Sequence, residues 1–195
     1  METLWNKGIE TPPEVTRFTV GNDPQWDLRL ARYDIKGSMA HVKMLGKTGL
    51  LTPKETEEII AALDKILDKI LQGRLIIGQQ AEDIHTLVEL ELSKDLGQTG
   101  KKIHAGRSRN DQVMTDIHLY LKDVCRNIAR MTARLFGCLQ EKSELYKDIF
   151  MPGYTHERPA MPSSFGLWLG AYAELLVDDM YQLGAAWQQC DQNPL

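Results

Sequence analysis

Apolar residues recur at spacings of three and four along most of the chain, a period that predicts helices rather than strands. From Asp27, the positions Leu28, Ala31, Ile35, Met39, Val42 and Leu45 form one stripe, which Gly46 and Gly49 end. Thr52-Pro53-Lys54-Glu55 then reads as a helix start: threonine caps, proline suits the first turn, and glutamate three residues on completes a capping box. Ile59, Leu63, Ile66, Leu67 and Ile70 continue it to Gly73. A third helix is expected from Ala81 or Glu82 to Leu96, with Gly97 and Gly100 marking its end. Residues 1–25 carry Pro12, Pro13, Gly21 and Pro24 and are expected to be irregular.

From Val113 the same period runs through Ile117, Tyr120, Val124, Ile128, Met131, Leu135, Cys138 and Leu145 with no proline. One helix over residues 109–147 follows, roughly 55–60 Å long at 1.5 Å per residue. That exceeds the needs of a small core and predicts a bundle. Pro152 and Gly153 break it, and a loop is expected to Pro162. A last helix runs from about Ser163 to Trp187, apolar on most of its surface and therefore expected to be buried in a larger assembly. No β-alternation exceeds a few residues. The expected fold class is all-α, with a helical N-terminal domain over 1–105 and the start of a long-helix bundle over 106–195.

Composition narrows the partners. The 195 residues are 43% hydrophobic and 26% charged, with a net charge of −4. That balance argues against nucleic-acid or anionic-membrane binding. The N-terminus lacks a basic region followed by an apolar run, and no stretch reaches the length of a membrane span. Cys125, Cys138 and Cys190 are odd in number and far apart, which fits reduced thiols rather than a disulfide framework or zinc site. A soluble cytoplasmic protein is expected.

Two segments carry candidate chemistry. Gly106-Arg107-Ser108-Arg109-Asn110-Asp111-Gln112-Val113 places two guanidinium groups, a hydroxyl and two carboxamides at the start of the longest helix. Free N–H groups, the helix dipole and bidentate arginine suit a di- or tricarboxylate there. A solvated helix start capped by Ser108 or Asn110 explains the same residues. The second segment is Met151-Pro152-Gly153-Tyr154-Thr155-His156. A histidine fixed by such a loop serves either as an acid or base, or as a structural hydrogen-bonder.

Taken in order, the two segments and the helix between them resemble the first and second signature regions of argininosuccinate lyases, of the fumarase/aspartase superfamily. Weaker matches are Asp34-Ile35-x-Gly37-Ser38, Glu82-Asp83-Ile84-His85 and Gly100-Lys101-Lys102-Ile103-His104. The resemblance runs from about Trp5 to the end. It implies a carbon–nitrogen lyase that eliminates fumarate from argininosuccinate in arginine biosynthesis. No metal or organic cofactor is implied, and the assembly would be a homotetramer. Ser108, Arg109 and Asn110 would hold the succinyl carboxylates, Thr155 would add a hydroxyl contact, and His156 would be the catalytic histidine. Asp83, His85, Gln112 and Arg158 are secondary candidates.

The chain also departs from the family. Trp5-Asn6-Lys7-Gly8 stands where the family has Trp-Gly-Gly-Arg-Phe, Gly21 aligns with a substrate-contacting serine, and Glu157-Arg158 replaces Leu-Gln. The third signature, Gly-Ser-Ser-x-Met-Pro-x-Lys-x-Asn-Pro, which carries the family's catalytic base, is not among the 195 residues. The resemblance thus implies a truncated portion ending at Asn193-Pro194-Leu195. Two other readings stand beside it: a non-catalytic helical oligomerisation module, as in lens crystallins of this fold, and a lyase for a related succinyl substrate.

Overall fold

The computed structural model describes residues 12–77, 81 and 83–193. Glu82, Trp5, Asn6, Lys7, Gly8, Pro194 and Leu195, all used above, lie outside the described residues. The chain divides into two compact units, Met1–Tyr120 with Asn193–Leu195, and Leu121–Gln192. The division falls inside the long helix, whereas the sequence placed a boundary near residue 105.

The first unit opens with α1 (Pro13–Val20) and α2 (Asp23–Asp27). Irregular backbone was expected here. Instead, the supposed breakers act as punctuation: Pro13 and Pro24 sit in first turns, and Gly21 ends α1 at φ 50°. Then follow α3 (Ala31–Lys47), α4 (Pro53–Leu71), α5 (Ile84–Leu96), α6 (Gln98–Lys101) and a 3₁₀ turn (Lys102–His104). Ile35, Val42, Leu45, Ile59, Leu63, Ile66, Ile84, Val88 and Leu92 bury their side chains between α3, α4 and α5.

The caps are local and explicit. Thr52 Oγ1 accepts the Glu55 N–H at 3.2 Å and Glu55 Oε2 accepts the Thr52 N–H at 2.9 Å, the expected capping box. Asp83 Oδ1 accepts the Thr86 N–H at 2.6 Å and starts α5.

Helix α7 (Arg109–Leu145) is continuous, as its period predicts. Its buried side chains are nonetheless polar, Gln112 and Asp116, whereas Ile128, Met131, Leu135 and Leu145 are exposed. From Ile128 onward the stripe does not face the chain's own core.

In the second unit, residues 121–145 of α7 lead into an antiparallel hairpin, β1 (Phe150–Thr155) and β2 (Arg158–Ser164). A loop was expected there. Prolines at 152, 159 and 162 hide the alternation, and a bulge at Gly153 breaks the register between Pro152 and Tyr154. Helix α8 (Phe165–Cys190) returns antiparallel along α7. At one end Ser143 Oγ donates to the Gly166 carbonyl at 2.7 Å; at the other, Lys122 pairs with Asp191 and stands 5.2 Å over the Trp187 ring. Leu167, Trp168, Tyr172, Leu175 and Tyr181 on α8 are exposed in the chain.

The close approach at Gly166 makes a test. A Cβ there would lie 2.5 Å from both Lys147 Cα and Ser143 O, backbone that has no room to yield. Gly166→Ala is expected to destabilise the second unit by about 1–3 kcal/mol, more than alanine's helix preference returns. An unchanged thermal midpoint by circular dichroism would show that the two helices are not this close.

Candidate functional site

The candidates fall in both units, and each group is described in its own. At the start of α7, Asp111 Oδ2 accepts the Ser108 N–H at 2.8 Å and Ser108 Oγ accepts the Asp111 N–H at 3.4 Å. Ser108 is thus a helix cap, and the hydrogen bond from its backbone holds the Asp111 carboxyl below the usual range. Asn110 is exposed on the same turn.

Arg109 turns toward α5. Its Nη1 donates to both oxygens of Asp83, at 3.1 and 3.4 Å, and Nη2 donates to Thr86 Oγ1 at 3.4 Å. Glu89 Oε2 lies 4.0 Å from Nη2 and pairs with His104 Nε2 at 3.0 Å. The His104 hydrogen bond keeps the Glu89 carboxyl below its ordinary range despite partial burial. The guanidinium is therefore engaged by the protein's own carboxylates on one edge. The side chain nonetheless remains 29% exposed. Asp83, a secondary candidate, both caps α5 and orients Arg109.

Asp27 accepts the Ile84 N–H at the same helix start, and burial raises its carboxyl. Sequence reasoning missed this role; the only signal was an aspartate at the edge of a helical period.

The other two secondary candidates of this unit, His85 and Gln112, lie in its interior. His85 Nδ1 is 3.1 Å from Asp34 Oδ1 and 3.5 Å from Asp116 Oδ2, and the Gln112 amide donates to Asp34. Arg107 Nη1 reaches Ser38 Oγ at 3.3 Å. All these side chains except Arg107 are buried. The donor atoms of Asp34, His85 and Asp116 lie within 4.8 Å of one another, a spacing that would suit a cation. The Arg107 guanidinium already supplies positive charge to both carboxylates, so the set fits a charge-compensated polar core better than a metal centre. A surface cleft bounded by Gly37, His41, Arg107 and Asp116 runs down to the cluster. Asp34, Ser38, Arg107 and Asp116 were missed as partners, though 34 and 38, and 112 and 116, are polar pairs at i, i+4 on otherwise inward faces.

In the second unit, His156 and Glu157 are the two turn residues of the hairpin, closed by the Thr155–Arg158 pair. Both have left-handed backbone, φ 49° and φ 63°. Two-residue turns of this kind favour Asn-Gly, and a side chain there costs roughly 1–2 kcal/mol. Backbone strain of this sort concentrates at functional sites. It presents the His156 ring at an exposed tip, flanked by Thr155 and Arg158. Glu157→Gly is expected to relieve it and raise the thermal midpoint by a few degrees, at roughly 2–4 °C per kcal/mol for a chain of this size. A lowered midpoint would show that the Glu157 side chain stabilises the turn.

Among the described residues, no helix is long and apolar enough to cross a membrane.

A lyase family model matches residues 11–195. The argininosuccinate lyase of Bacteroides thetaiotaomicron is 51% identical over 194 residues, covering 100% of this chain and 44% of that protein. That of Thermotoga neapolitana is 44% identical over 194 residues, covering 49% of its length. The chain spans less than half the length of these curated relatives. Among solved structures, EDDS lyase in complex with formate superposes with a TM-score of 0.77 at 23% identity, over 96% of this chain and 37% of that one. A fumarate lyase:delta crystallin from Brucella melitensis gives 0.74 at 18% identity, over 87% and 42%. At such identities the likeness establishes a shared all-α fold. The family model covers nearly the whole sequence, and the chain belongs to this lyase family.

Proposed function

We propose that these residues are the N-terminal portion of an argininosuccinate lyase, which eliminates fumarate from argininosuccinate and releases arginine in the cytoplasm. One observation carries the reading: half of all positions are identical to argininosuccinate lyases across the full chain. The functional division lies at residue 105, with 1–105 and 106–195 as its parts.

In the elimination a base takes a proton from the carbon beside a carboxylate, which becomes an aci-carboxylate dianion. The electron pair left behind then forms the C=C bond of fumarate as the C–N bond breaks, and the guanidino nitrogen leaves with the C–N bonding pair as arginine. Pre-aimed donors stabilise the dianion. Ser108, Arg109 and Asn110 hold the succinyl carboxylates, with Asp83 fixing the guanidinium and two helix N-termini adding positive potential. Thr155 adds a hydroxyl contact, and His156 exchanges a proton or hydrogen-bonds at the reacting centre. Arg158, paired with Thr155, stands where the family has glutamine and offers a further donor. His85 and Gln112 act from the core. No cofactor is required. The exposed apolar side chains of α8 cover a homotetramer interface.

A second reading, a lyase for another succinyl substrate, draws on the fold shared with EDDS lyase. It is the weaker at 23% identity. A chimera joining these 195 residues to the remaining C-terminal part of the Bacteroides thetaiotaomicron relative discriminates the two. It is expected to restore growth without arginine to a strain lacking the lyase. A soluble, tetrameric chimera that does not restore growth would exclude argininosuccinate as substrate.

A further inference from the structure

Asp34 and Asp116 are both buried, and the same His85 Nδ1 stands 3.1 Å from one and 3.5 Å from the other. One N–H between two buried carboxyl groups leaves a deficit that a retained proton removes, because adjacent buried carboxylates do not both ionise. The partners decide which keeps it. Burial favours the neutral form of Asp34, but hydrogen bonds from His85 and Gln112 and the Arg107 charge outweigh it and hold this carboxyl below its ordinary value. Asp116 has no such set of donors. Burial and the Asp34 charge push it up to about 9, against a smaller pull from Arg107.

The groups facing Asp116 are Asp34 from α3, His85 from α5, Arg107 from the segment before α7 and, farther off, Asp27 from α2. Helices α3 and α7 meet here at Gly37, where a Cβ would stand 3.4 Å from Asp116 Oδ1. Arg107 Nε and Nη2 are buried without a hydrogen-bond partner, so beyond Ser38 the guanidinium is held by the charge of this cluster. Arg107 immediately precedes Ser108, Arg109 and Asn110.

We propose that Asp116 is a positioning residue, donating a carboxyl hydrogen bond to the Asp34 carboxylate so that the pair anchors Arg107 and fixes the Ser108–Asn110 segment at the start of α7. The proposal deepens the functional reading above and rests on it only for what the segment binds.

The test uses the 195-residue chain and no substrate. Its first readout is the ¹³Cγ shift of Asp116, expected to stay at the protonated value from about pH 5 to about pH 8, consistent with the raised carboxyl. Titration together with the exposed carboxylates below about pH 5 overturns the proposal. The second readout is the set of backbone amide shifts of Ser108, Arg109 and Asn110. Asp116→Asn, which still donates an N–H, is expected to keep them, and Asp116→Leu, which fills the space without a donor, is expected to move them. Equal movement in both variants, or in neither, also overturns it. The wild-type titration stands even if the leucine variant does not fold. A folded, tetrameric chimera that releases no fumarate would sink the functional reading and leave this one intact.

Discussion

In the chimera, Arg109→Lys is expected to lower kcat/KM by about 10- to 150-fold although it conserves charge. Arginine presents a planar fork, and here its two Nη groups already serve different partners, Asp83 on one side and Thr86 on the other. Lysine is a point charge that keeps one such contact and loses the orientation. A charge-assisted hydrogen bond is worth about 1.5–3 kcal/mol, and about 1.4 kcal/mol is a factor of ten in rate. Arg107→Lys is expected to cost less in kcat/KM and to lower the thermal midpoint instead, because its guanidinium points into the core toward Ser38. Steady-state kinetics and thermal unfolding on both variants decide the matter. Equal, small kinetic losses at both positions would reduce the segment to a capped helix start, which the Ser108–Asp111 geometry by itself also explains.

The second expected result is larger. The 195-residue chain alone is expected to produce no measurable fumarate from argininosuccinate, since the signature that carries the family's base is not among its residues. Fumarate absorbance at ordinary enzyme concentration is the direct assay, and robust turnover would show that this chain supplies a base of its own.

What was legible in the sequence was what depends on neighbours a few residues apart. The Thr52–Glu55 box, the uninterrupted α7 and the stripe on α3 and α4 are all set within a turn or two of helix, and all are present. The hairpin was not legible. Its prolines mask alternation, and its turn is His156-Glu157 rather than the glycine and asparagine that usually announce one. At the start of α7 the sequence supplied both readings of Ser108, as cap and as ligand, and the structure adds the cap. It could not supply Asp83 as the partner of Arg109, because that pairing depends on how α5 meets α7. Asp34 and Asp116 were hidden for the same reason. A carboxylate on an inward helix face has meaning only once His85 and Arg107 arrive from distant segments. Likewise α7 and α8 carry apolar residues that this chain leaves exposed; hydrophobicity alone led to the expectation that α8 is buried in a larger assembly.

The most direct measurement of the central claim is fumarate release by the purified chimera with and without His156→Asn. A positioned acid or base contributes about 10²- to 10⁴-fold. The parent chimera is expected to turn over argininosuccinate and the variant to lose activity by that order, with the tetramer and thermal midpoint retained. A folded, tetrameric parent that releases no fumarate, or a variant that matches its parent, would contradict it.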